Sequence, residues 1–209
     1  MNIKETVSRV LGKDGDGEEA PPKQDALELI RSDHREVDAL FAEALGEDTR
    51  AAQRRAAIAK IVEALTIHAE MEEVLFYPAL RKAGGKDEKD SVLEAAEEHG
   101  VVKDLIAKIE AADPGDETMN AKVTVLKELV HHHVKEEEGA MFGQARRVLG
   151  KDRLEALGDE MQRFKERAQR RAGRDGGGSA KKSSAKKSAR RKTAARKTGS
   201  AKKKSRSKR

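Results

Sequence analysis

Four histidines and four glutamates of this 209-residue chain repeat at one offset of 65 positions: His34 on His99, His68 on His133, Glu72 on Glu137 and Glu73 on Glu138. Apolar neighbours keep the same offset, with Val37 on Val102, Leu40 on Leu105, Phe41 on Ile106, Ile58 on Val123, Ile61 on Leu126 and Leu65 on Val130. Such a repeat marks two copies of one supersecondary unit that pack together. What repeats is imidazole and carboxylate set within apolar stripes. Burying an ionised carboxylate without a partner costs on the order of several kcal/mol, and two would repel one another. A pair of divalent cations removes the conflict, because imidazole supplies neutral nitrogen donors and a carboxylate supplies charge and can bridge two metals. The candidate metal ligands are therefore His34, His68, Glu72, His99, His133 and Glu137.

Taken singly, each residue has a plainer explanation. A lone histidine on an apolar stripe is usually a hydrogen-bonded core residue, and H-x-x-x-E on a helix is often a solvated ion pair. The joint pattern outweighs these: four of six histidines occupy seam positions and are duplicated with their glutamates. In each H-x-x-x-E the donors lie one turn apart on one face, with Cβ atoms about 5–6 Å from each other. Glu73 and Glu138 lie one residue round the helix and read as partners behind the ligands or as surface charges. His131 and His132 leave the stripe and read as solvated or outer-lying. Tyr77, the only tyrosine, reads chiefly as core packing.

The elements that position these groups follow from apolar periodicity. The first segment, from about Asp25 to Leu45, carries Ile30, His34, Val37, Phe41 and Ala44. The second, about Thr49 to Arg81, carries Ile58, Ile61, Leu65, His68, Glu72, Leu75 and Ala79, with a kink expected at Pro78. The third, about Ser91 to Ala112, carries Val92, Ala95, His99, Val102, Ile106 and Ile109, and Ser91 with Glu94 resembles a capping box. The fourth, about Glu117 to Leu149, carries Val123, Leu126, Val130, His133, Glu137 and Ala140. Steps alternating between 3 and 4 are those of helices packed side by side, and short connections make neighbours antiparallel. The predicted class is all-α: an up-and-down four-helix bundle over 24–150, preceded by an arm and linker (1–23). A fifth helix over 151–172 is expected along the flank, with Leu154, Leu157, Met161 and Phe164 on one face.

Composition narrows the rest. There is no cysteine, which excludes disulfides and thiolate metal sites. No apolar run approaches the roughly 18 residues of a membrane span, so no membrane insertion is expected, and the start of the chain lacks the apolar core of a signal peptide. A soluble, cytoplasmic protein is expected. The net charge of +6 hides two opposite bodies. Residues 173–209 hold 16 Lys and Arg against one acid, whereas the preceding 172 residues hold 28 bases against 37 acids. That low-complexity Lys/Ala/Ser/Arg stretch has no large apolar side chain and is expected to be disordered when free. Its charge should attract nucleic acid through counterion release, and with no aromatic residue to stack on bases it should do so without reading sequence. Its composition resembles linker-histone and basic nucleoid-protein tails. This extends the expected location to the nucleoid, or to the nucleus in a eukaryotic source. A solubilising tail, a cover for the acidic body and an anionic membrane tether are the alternatives.

The phrases DHREVDALF, IHAEMEEVLFYPAL, EEHGVVKDLI and HHHVKEEEGAMF together resemble the hemerythrin-like (HHE) cation-binding domains, over about Ala26 to Leu149. The resemblance implies a non-haem di-iron centre, with His34 and His68 on one iron, His99 and His133 on the other, and Glu72 and Glu137 as bridges. Ligand type suits iron or manganese and tolerates zinc. The oxygen-carrying members have a further His one turn after the third-helix His and an Asp five residues after the fourth-helix His. Here those positions hold Lys103 and Glu138. The departure implies more open positions on both irons, which argues against reversible oxygen transport. The expectation is a protein that senses or handles O2, peroxide, nitric oxide or iron. The alternatives are a di-iron enzyme that turns over peroxide or oxidises iron(II), and an architectural nucleic-acid-binding protein with a structural metal.

Overall fold

The computed structural model describes residues 24–113 and 115–198, with side chains as far as Arg174. The N-terminal arm over 1–23 lies outside the described residues. Of the tail expected to be disordered (173–209), only 199–209 lie outside them; 173–198 form the last part of a helix.

Helix α1 (Ala26–Leu45) starts where Asp25 accepts from the Glu28 N–H at 2.9 Å while the Glu28 side chain reaches back to the Asp25 N–H at 3.2 Å. This reciprocal cap satisfies donors that the first turn leaves free. Helix α2 (Ala51–Met71) runs into a π-turn, π1 (Glu72–Phe76), and continues as α3 (Tyr77–Ala83). Helix α4 (Lys86–Glu110) follows, then α5 (Met119–Glu136), a second π-turn π2 (Glu137–Met141), and α6 (Phe142–Thr198), which kinks at Gly150 with φ 71°. Helix α1 packs on α2 and α5, and α4 packs on α5, α3 and more lightly α2, closing an up-and-down four-helix bundle. There is no strand among the described residues.

The core consists of two apolar clusters. One holds Leu27, Ile30, Met71, Phe76, Leu80, Val92, Phe142, Leu157 and Met161; the other holds Val37, Phe41, Ile61, Leu65, Val102, Ile106, Leu126 and Val130. The four seam histidines fall between them in sequence on every helix, so the polar groups form a layer with apolar side chains above and below. The part of α6 beyond the kink does more than line the flank: Leu157 and Met161 are fully buried in the first cluster. Gly158 permits this, because a Cβ there would meet the Gln24 carbonyl oxygen at 2.4 Å and the Asp25 carbonyl carbon at 2.8 Å.

Three local expectations are corrected. Helix α4 begins five residues before Ser91, capped by Glu88, whose carboxylate accepts the Gly85 N–H at 2.7 Å; Ser91 is interior and its hydroxyl accepts from Gln144. The irregularity in the second helix is the π-turn ahead of Pro78, made by a Tyr77 N–H to Glu72 carbonyl bond. The second half has the same turn, with Phe142 N–H bonded to the Glu137 carbonyl and Gly143 where the proline would be, so proline is not its cause. The third correction follows from that turn. One extra residue per π-turn shifts the buried face, so Phe76, Tyr77 and Leu80 are buried where Leu75 and Ala79 were expected. Likewise Met141, Phe142 and Ala145 are buried while Ala140 is exposed.

Candidate metal centre

All six sequence-predicted residues meet in the polar layer: His34 from α1, His68 from α2, Glu72 at the start of π1, His99 from α4, His133 from α5 and Glu137 at the start of π2. Each π-turn thus opens at a central glutamate, in keeping with the frequency of π-bulges at functional sites. His34 Nε2 lies 3.3 Å from Glu137 Oε2, and His68 Nε2 lies 3.3 Å from Glu72 Oε1. His99 Nε2 lies 3.4 Å from Glu72 Oε2 and 3.3 Å from His133 Nε2, which is 3.8 Å from Glu137 Oε2. Two sets of donors result: His34, His68, Glu72 and Glu137, and His99, His133 and Glu72, each within 4.8 Å. Metal–nitrogen and metal–oxygen bonds of about 2.1 Å put neighbouring ligand atoms about 3.0 Å apart in an octahedron and about 3.4 Å in a tetrahedron. The observed spacings are of that size.

Burial makes the arrangement costly without a cation. His34 Nε2, Glu72 Oε1 and both Glu137 oxygens are buried with no hydrogen-bond partner. Burial first, then the Glu137 charge, pushes the Glu72 carboxyl well above the usual range. Burial acts the same way on Glu137, but the His34 imidazole 3.3 Å away, with the charge of His133, outweighs it and holds that carboxyl down. Burial, with His133 and His68 nearby, lowers His99 to about 4, so its imidazole is neutral near pH 7 and its nitrogen is free to donate a lone pair.

Behind each imidazole stands a carboxylate, and three of the four carboxylates are held in turn by a cation. His34 Nδ1 lies 2.8 Å from Glu138 Oε1, and Glu138 is held by Arg31 at 3.0 Å. His99 Nδ1 lies 3.1 Å from Glu73 Oε1, and Glu73 is held by Lys103 at 2.5 Å. His133 Nδ1 lies 2.7 Å from Glu98 Oε2, with His132 Nε2 3.5 Å from the other oxygen. His68 Nδ1 faces Asp33 Oδ2 at 3.7 Å, beyond hydrogen-bond length, and Asp33 is paired with Lys165 of α6. A carboxylate at Nδ1 fixes the tautomer that turns Nε2 inward.

Glu73 and Glu138 therefore stand behind His99 and His34. Asp33 and Glu98 are additions to the sequence-based site. Both precede an α-helical ligand candidate and are themselves 65 positions apart, a signal that acidic identity at one offset could have given. Lys103 turns outward onto Glu73. His131 pairs with Asp38 at 2.9 Å on the surface. Tyr77 does more than pack: its hydroxyl donates to Glu72 Oε2 at 3.3 Å and lies 3.4 Å from His99 Nε2, while the repeat-equivalent position is Phe142. A cavity of about 20 Å³ beside the layer is lined by the four imidazoles and by Val37, Leu65, Val102 and Val130. It has room for about one water-sized molecule.

An up-and-down bundle whose interior carries paired imidazole and carboxylate donors defines a helical metal-binding protein. The hemerythrin HHE cation binding domain profile matches residues 25–145, and this chain belongs to that family. A DNA nickase of Nostoc sp. is 30% identical over 146 residues, covering 70% of this chain and 40% of the relative, so the match spans well under half of that protein. A crystal structure of a hemerythrin HHE cation-binding domain-containing protein from Mycobacterium kansasii superposes with a TM-score of 0.61 at 23% identity, over 69% of this chain and 87% of the other. It shares the fold. Among the described residues no helix is long and apolar enough to cross a membrane.

Proposed function

We propose that the chain holds two iron ions, His34 and His68 on one and His99 and His133 on the other, bridged by Glu72 and Glu137. The observation that carries this is the set of buried, unpartnered donor atoms at ligand spacing, above all both oxygens of Glu137. An all-nitrogen and oxygen shell favours iron, with manganese or zinc as substitutes. When bound, an iron pair would supply redox chemistry and Lewis acidity. The chain supplies the rest. Glu138, Glu73 and Glu98 keep three of the imidazoles in one tautomer, Glu72 and Glu137 balance charge, Tyr77 offers a hydroxyl proton beside Glu72, and the apolar cavity admits only a very small molecule. These features support sensing or handling of O2, peroxide, nitric oxide or iron. The basic stretch after Gly173 would bring the bundle to nucleic acid.

Iron analysis with absorption and Mössbauer spectroscopy tests the centre; two ions per chain and a change of iron state on exposure to O2 or nitric oxide are expected. A stoichiometry near one or zero with an intact fold, or an oxygenated form that discharges reversibly under vacuum, would sink the proposal. Steady-state turnover of peroxide or iron(II) would instead favour an enzyme. A second reading, strand cutting, draws on the similarity to a protein named as a DNA nickase. Metal-dependent conversion of supercoiled plasmid to open circles by the pure protein, lost on Glu137→Gln, would favour it. Spectra indifferent to oxidation and reduction would favour a structural metal in an architectural protein.

A further inference from the structure

The two halves of the repeat differ in what covers the centre. On the α1–α2 face, the positions equivalent to His132 and Glu136 are Ile67 and Met71, both buried, and α6 lays Lys165 on Asp33. The cleft on that face reaches none of the six candidate ligands. On the α4–α5 face none of the described helices intervenes. There His132 Nε2 lies 3.3 Å from Glu136 Oε1 and 3.5 Å from Glu98 Oε1, and all three side chains reach solvent. These spacings match a tetrahedral edge of about 3.4 Å for bonds of about 2.1 Å. The cleft beneath, about 370 Å³, is walled by Glu94, Glu98 and Glu136 and reaches His133 and Glu137, with Lys135 its one ammonium among the described residues. Glu137, 1% exposed and with both oxygens unpartnered, closes its inner end. Glu98 joins the two levels, one oxygen toward His132 and the other on His133 Nδ1.

We propose that Glu98, His132 and Glu136 form a third, surface site for a divalent cation, and that this site passes ions down the α4–α5 cleft into the buried pair. The loading role rests on the two-cation reading of the centre; the surface site does not. A solvated cation is drawn by the excess of carboxylate, exchanges some of its water for one imidazole and two carboxylate oxygens, and meets Glu137 as the next unpaired acceptor inward. The opening at His34 is a poorer route, since its walls include Arg35 and reach only one candidate ligand.

The test uses full-length, metal-free protein and cobalt(II) alone. Equilibrium dialysis should give two tightly held ions and a third, weaker one, and stopped-flow absorption should follow filling of the buried pair. The double variant His132→Ala/Glu136→Gln should lose the third ion and slow filling at least tenfold, while still retaining two ions at equilibrium. The control His131→Ala, on the opposite opening, should fill at the wild-type rate. Persistence of the third ion and an unchanged rate in the double variant would overturn the proposal, as would equal slowing by His131→Ala. Failure of the wild type to retain two ions would overturn the two-cation reading instead. The third-ion titration, compared between wild type and double variant, would then decide the surface site by itself.

Discussion

Glu137→Gln should act in different ways on metal-free and metal-loaded protein, and that contrast separates a ligand from a structural acid. The side chain is 1% exposed and neither oxygen has a hydrogen-bond partner, so an amide of equal size keeps the packing. In metal-free protein the change removes one of two facing carboxylates, relieving a charge that helps push the Glu72 carboxyl up. It also removes the anion facing His34 Nε2 at 3.3 Å, one of the two carboxylates that raise that imidazole against burial. These effects oppose each other, and Tm of the metal-free protein should stay within about 4 °C of wild type or rise. With metal, losing a charged ligand that weakens affinity about 100-fold takes about 2.7 kcal/mol from the stabilisation by bound cation. For a domain of this size that is about 5–11 °C of Tm. Differential scanning calorimetry with and without excess metal reads both states. An equal fall in the two states, or a loaded protein that keeps both ions and its Tm, would refute the ligand assignment.

Lys165→Met should weaken metal binding about 10–100-fold without loss of helicity, because Asp33 then loses the cation that holds it near His68; calorimetric titration showing wild-type affinity would count against that link. Gly158→Ala should lower stability by about 1–3 kcal/mol, since the new methyl meets backbone at 2.4 Å, and urea unfolding checks it. Metal-free protein should lose stability as pH falls from about 6.5 to about 4. Folded His99 takes its proton only near 4 and the unfolded chain near 6.5, so the unfolded state binds more protons in that window. His68, lowered by burial, adds to this, while His34, raised by Glu137 and Glu138 despite burial, and Glu72, raised by burial and by Glu137, oppose it; a flat Tm across the window would contradict the balance. Truncation after Ala172 should abolish duplex DNA binding and leave metal content intact, with full-length binding falling steeply with salt; a truncated bundle that still bound tightly would refute the tail's role.

The bundle and the six central residues were legible in the sequence for one reason. A buried stripe must recur every 3 or 4 residues, and a polar group that breaks it at the same place in two copies must have a purpose there. Ile30, Val37, Leu65, Val102 and Leu126 are buried as that periodicity requires. The register stops being legible after Glu72 and Glu137, because a π-turn adds a residue to the turn and hydrophobic spacing alone cannot say that it does. Hence Phe76, Tyr77 and Leu80 replace Leu75 and Ala79 in the core, and the Tyr77 hydroxyl reaches Glu72. Asp33 and Glu98 were half legible: the repeat offset marks them, but an acid beside a histidine is also what a solvated helix face looks like. Lys165 was not legible at all. It lies 132 positions from Asp33, and only the docking of Leu157 and Met161 over Gly158 brings α6 close enough for the pair to form. Periodicity is a property of one helix at a time and is written in the chain. Which helix closes one face of the metal layer and leaves the other open is a property of how helices pack, and only the tertiary structure decided it.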